Sequence, residues 1–165
     1  MRSEVIELEK ILDREIEAYS KLEKYIIDKK ESLINGDIEK LRDIDCEIEI
    51  ITSITGDLES KRSEVSSRFG DENLSLKEII ERIEEEDKVK NITNRRSKLK
   101  NLVDNIQRQN NINAKLIEHS LKLVEFSVNS IANALLPEMS AYNNQGKIQK
   151  SRVKTEIISS VIHEA

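Results

Sequence analysis

A repeat with alternating spacings of three and four runs through residues 41–69: Leu41, Ile44, Ile48, Ile51, Thr55, Leu58, Arg62, Val65 and Phe69. Sustained over four heptads, such spacing winds a single stripe along a helix, and the stripe must be buried against other helices. A first helix is predicted from about Ser3 to Ile34, on the stripe Val5, Leu8, Leu12, Ile16, Tyr19, Leu22, Ile26 and Leu33. Ile11, Tyr25, Ile27 and Ile34 widen it. Between the two helices, Asn35-Gly36-Asp37 reads as a stop followed by a start. Gly36 supplies a left-handed C-terminal residue and Asp37 an N-cap. So short a connection makes the two helices antiparallel neighbours.

After Gly70, Ser75-Leu76-Lys77-Glu78 has the form of a capping box, with Leu74 and Ile79 placed as a hydrophobic staple. A short helix over 75–86 is predicted, with a bend near 87–91. A third long helix is expected from about Val89 to Leu136, ended by Pro137. On a frame of four and three its seam reads Ile92, Arg96, Leu99, Val103, Ile106, Asn110, Asn113, Ile117, Ser120, Val124, Ser127, Ile131. Asparagines buried at 110 and 113 would set helix alignment. From Ile112 onward apolar residues spread beyond one stripe, and residues 89–136 would measure about 70 Å, roughly 20 Å more than either partner. The end of this helix therefore carries surplus apolar surface. Ile112, Leu116, Leu121, Leu123, Phe126, Val128 and Leu135 are the candidate partner-binding residues.

The fold class that follows is all-α: an elongated antiparallel bundle of three long helices with a short connecting helix and a C-terminal tail. Residues 1–136 make the bundle, and 137–165 a tethered tail. In the tail Val153, Ile157, Ile158, Val161 and Ile162 recur at helical spacing, as a short amphipathic helix that folds back or seeks a partner.

Composition agrees with long solvated helices, since 36% of residues are charged and 3% aromatic. The charge is uneven. Residues 1–70 hold 12 Lys/Arg against 18 Asp/Glu, residues 71–90 hold 4 against 8, and residues 91–165 hold 11 against 6. An acidic hairpin packed on a basic third helix gains from this, though only about tenths of a kcal/mol per exposed pair. The net charge of -5 argues against nucleic acid as a partner. Arg95-Arg96-Ser97-Lys98-Leu99-Lys100 lacks flanking aromatics for stacking, and is read as facing the acidic hairpin or the acidic segment before it.

No catalytic constellation emerges. His119 and His163 have no second ligand at helical spacing, and Cys46 is the only cysteine, read as a half-buried side chain. Glu78, Glu81, Glu84 and Glu85 are better explained as a solvated acidic face than as a magnesium site, and no glycine-rich phosphate loop exists. No cofactor or metal is expected. The N-terminal residues lack the apolar core of a signal peptide and no run suits a membrane span, so a cytoplasmic location is expected.

Several segments in order resemble the FlgN family of flagellar export chaperones over roughly residues 5–142. Glu15 with Tyr19 and Leu22 is followed by Leu33-Ile34-Asn35-Gly36-Asp37, leading to Leu41, Ile44, Ile48 and Ile51. Leu58-Glu59 with Arg62 comes next, then Asn73-Leu74-Ser75-Leu76, Asn110 and Asn113 before Leu116-Ile117, and Tyr142 with Gly146. The chain departs from the family in its Asn-rich third helix and isoleucine-rich tail. The resemblance implies a non-enzymatic cytoplasmic chaperone that binds the C-terminal segments of hook–filament junction proteins. Such a protein keeps them from assembling early and delivers them to the export gate at the membrane. Tyr142 resembles the position through which family members address that gate. The alternative from the same pattern is a homo-oligomeric coiled-coil scaffold or tether.

Overall fold

A computed structural model of the chain describes residues 2–70, 74–135, 141–142 and 148–149. Four helices account for nearly all of these: α1 (Arg2–Asn35), α2 (Ile38–Ser67), α3 (Leu76–Glu81) and α4 (Glu86–Leu135). The fold is all-α. A two-residue antiparallel pairing, β1 (Ala141–Tyr142) with β2 (Ile148–Gln149), is the sole extended pairing among the described residues. The chain divides into two compact units, residues 1–116 and 117–165, and α4 contributes to both.

The α1–α2 turn forms as local chemistry dictates. Gly36 takes φ +68°, and the Asp37 amide donates to Ser32 O across it at 3.0 Å, the long-range bond of a Schellman ending. Asp37 then caps α2, its Oδ1 accepting from the Lys40 amide at 3.0 Å. Lys29 ties α1 to Asp45 of α2 at 2.6 Å close to this turn, and Arg68 reaches Glu7 at 3.0 Å near the open end.

The core of the first unit lies in two clusters along the hairpin. One gathers Val5, Leu8, Leu12, Val65, Phe69, Ile79, Ile92 and Leu99; the other gathers Leu22, Ile26, Ile51 and Ile106. Tyr19 packs on both, and burial raises its phenol pKa above the usual value. On the same length of hairpin Glu15 is buried, and its Oε1 accepts from Arg62 Nε of α2 at 2.8 Å. Desolvation raises the Glu15 carboxyl above the ordinary carboxylate range, opposed by the hydrogen bond and charge of Arg62. Ile27 and Ile34, expected to widen the α1 stripe, are exposed, as is Cys46.

Helix α4 enters this unit parallel to α1. Lys88 and Arg95 meet Glu9 and Asp13, and Asn113 further along meets Ile26. The basic stretch therefore does face the acidic hairpin, though only through Arg95, whose guanidinium takes both Asp13 carboxylate oxygens at 2.8 and 3.0 Å. That bond corrects the α4 seam. The covered positions are Ile92, Arg95, Leu99, Leu102, Ile106, Gln109, Asn113 and Leu116, while Arg96, Val103, Asn110 and Ile117 face solvent. Spacings alternate three and four from Ile92, not four and three. Of the two asparagines only Asn113 is buried; its Nδ2 donates to Ile26 O at 2.9 Å, and its Oδ1 has no protein partner among the described residues.

The α2–α4 connection also differs in detail from expectation. Ser75 and Glu78 form the capping box, with Glu78 Oε2 accepting from the Ser75 amide at 2.8 Å, and Ile79 is fully buried against Leu74. The short helix nevertheless stops at Glu81, because Arg82 turns back and donates to Phe69 O at 2.8 Å. Gly70 takes φ +143°, a conformation that L side chains rarely adopt, and a Cβ there would also meet that guanidinium. Glu86 and Asp87 then occupy the first turn of α4, where negative charge favours the amide end of a helix. The acidic run thus starts a helix instead of bending one. The predicted amphipathic segment at 153–162 lies outside the described residues.

Two measurements check this account. Gly36→Ala forces a side chain into the left-handed region and should lower unfolding free energy by about 1 kcal/mol, read by urea titration. For Glu15 the folded pKa lies above the unfolded value of about 4.5, so the native state holds the proton longer. The stability of the wild type relative to Glu15→Gln should therefore fall as pH rises from 4.5 through the raised pKa. A difference that grows with pH would contradict the desolvated carboxyl.

Candidate partner-binding site

A helix that keeps one covered seam continues it by spacing alone. Beyond Leu116 the covered α4 seam would pass through Ser120, Leu123, Ser127, Ser130 and Ala134, mostly small or polar residues. The large apolar residues instead follow Ile117, Leu121, Val124, Val128 and Ile131, again at spacings of four and three. This second stripe is rotated by one residue, about 100° around the helix. Its members are open: Leu121 is 64% exposed, Val124 59% and Ile131 58%. Val128 is half-buried.

The predicted site residues separate on this geometry. Ile112 and Leu116 are half-buried and belong to the first unit. Leu121 and Val128 sit on the second stripe. Leu123 is exposed about 120° from it, and Phe126, 71% exposed, is on the opposite side of the helix. Leu135 is the last residue of α4 and Tyr142 lies in β1; their side chains fall outside what is described. Ile117, Val124 and Ile131 were not among the predicted partner-binding residues because the expected seam took all three as covered positions. The unbroken spacing from 117 to 131 was the signal.

The charge around the stripe is sparse. Glu118 and Lys122 pair at 2.7 Å on the exposed surface, Glu125 lies on the Glu118 flank, and His119 is exposed. Ser120 and Ser127 form the other flank, where a second helix can approach closely. A separate groove of about 560 Å³ on the first unit is lined by Gly56, Ser60, Arg62, Ser63, Ser66 and Leu74, and shares no residue with the stripe. Among the described residues no group of His, Cys, Asp or Glu is placed to hold a metal ion, and no helix is long and apolar enough to cross a membrane.

The antiparallel hairpin with α4 laid along it defines an all-α protein. The family described as FlgN protein matches residues 1–150, and the chain belongs to that family of flagellar export chaperones, which bind flagellar export substrates. No curated relative and no solved structure matches the chain.

The two α4 faces should answer differently to truncation. Ile106→Ala, on the covered seam, is expected to cost about 2–4 kcal/mol. Leu121→Ser should leave the unfolding midpoint of the hairpin core within about 0.5 kcal/mol of wild type. Equal losses in urea unfolding would show that residues 117–131 are part of the core.

Proposed function

We propose that the protein is a cytoplasmic export chaperone that binds the C-terminal segments of hook–filament junction proteins, without catalysis or cofactor, and delivers them to the export gate. The observation that carries this reading is the open Ile117–Ile131 stripe on a chain of this family. A client held before assembly exposes an amphipathic segment that would otherwise pair with its own kind. A bare helical stripe with anchors at i, i+4 and i+7 covers such a segment by helix pairing. Exposed patches of this size are uncommon on proteins without a partner. Residues 1–136 act as the body, 137–165 as a tethered tail, and Tyr142 as part of the surface offered to the gate.

The same spacing favours a second reading, because an exposed heptad stripe is also the seam of a coiled-coil dimer. In an antiparallel pair of copies the Glu118 and Glu125 flanks would face each other, which disfavours it.

Calorimetric titration with C-terminal peptides of junction proteins separates the two. Binding to the wild type, and its loss in Leu121→Asp or Val124→Asp with helicity retained, is the expected result. Absence of binding, together with a mass that doubles with concentration and returns to monomer in Leu121→Asp, would make the scaffold the better account.

A further inference from the structure

Inside the first unit one helix is not enough to cover α4. Its seam is closed there by α1 and α2 together: Leu12 and Val65 lie with Leu99 in one cluster, and Ile26 and Ile51 with Ile106 in the other. The part of α4 in the second unit has a wider face to cover. At about 100° per residue, the side chains of residues 117–134 sort into two arcs. The open stripe, with Ala132 beyond it on one side and Ser120, Ser127, Ala134, Leu123 and Ser130 on the other, spans about 200°. Every Glu, Lys, His and Asn of this stretch falls in the remaining arc, and of the apolar residues only Phe126 lies among them.

The uncharged arc has two faces of different shape. On the stripe the side chains are large. On the serine flank, which carries the spacing of the covered seam past Leu116, they are small except for Leu123. Ser127 spends its hydroxyl on the Leu123 carbonyl at 2.8 Å, so its donor is satisfied without water. A single surface helix buries a stripe only a little over about 100° wide, and one pressed on Ile117–Ile131 leaves Leu123 exposed. A second copy of α4 paired through the stripe leaves the same flank bare.

We infer that residues 117–134 take up two helices of one client chain, one along the stripe and one along the serine flank, as α1 and α2 together cover the start of α4. That occupancy rests on the client-binding reading and defines the client's chemistry. Both helices are amphipathic, their facing sides carry no charge, and the one over the serines brings the bulkier residues to fill the space above them. Once the first helix is held, the second docks from the same chain at high effective concentration.

The test is alkylation of single cysteines in the full chain, with the exposed Cys46 removed as C46S, in the presence and absence of a saturating, unpolymerised full-length junction protein. V124C reports the stripe, S127C the serine flank and K122C the charged arc. Alkylation about tenfold slower at both V124C and S127C, with K122C within about twofold of its free rate, is the expected result. Slowing at V124C alone would show one helix on the stripe, overturning the inference and leaving the client reading intact. Equal slowing at all three positions also overturns it, since the client would then enclose the whole helix. Slowing without client that is lost on dilution assigns the face to a second copy and overturns it too. Calorimetry should give one client per chaperone; two clients overturn the single-chain pairing. In the same titration S127K, with helicity retained, should weaken binding about tenfold, and K122S by less than about twofold. Equal affinity of S127K and wild type overturns the second helix. No heat and no protection with the junction protein removes the client reading, and this occupancy with it.

Discussion

A buried carboxylate needs a partner that neutralises it, and Glu15 has the Arg62 guanidinium, 2.8 Å away on the facing helix. Sliding α1 against α2 by a helical turn would leave that acid buried and unpaired, at a cost of about 3–5 kcal/mol. The pair contributes little net stability beside an apolar alternative, because both groups lost water to form it. Its effect is on register. With the Gly36 turn holding one end, the hairpin has a single alignment, and the groove it offers to α4 is set.

On that groove the third long helix is aligned by polar groups as much as by apolar ones. Arg95 grips Asp13 from one side, and Asn113 donates to the Ile26 carbonyl about five turns further along. Between these anchors Leu99 and Ile106 fill the two core clusters. Once Arg95 is turned toward α1, the residue after it faces water, and so does each residue a heptad-step beyond. The rotation that buries Leu102 therefore exposes Val103, whereas beyond Leu116 the continuation of the covered seam is itself exposed, Leu123 included.

A chaperone for polymerising subunits needs a surface apolar enough to hold a helix and separate enough from its own core to leave stability untouched when empty. On the reading proposed above, the core seam and the open stripe of α4 meet these two needs separately.

Much of this was legible in the residues because it is decided locally. Helical periods, the Gly36-Asp37 turn and the Ser75–Glu78 capping box depend on neighbours within a few positions, and each formed where its chemistry required. The surplus of apolar side chains after Ile112 was visible too, since a count of large residues needs no partner. Which of them stand open was not visible. Leu102 beside Val103 and Leu116 beside Ile117 make two adjacent frames equally apolar, and period alone cannot choose between them. The choice fell to contacts more than eighty residues apart, Arg95 with Asp13 and Asn113 with Ile26. Sequence by itself determined the helices, their order and the excess of apolar surface. Tertiary structure alone decided which side of α4 turns inward, because a helix has no inside until a partner's charge and carbonyl supply one.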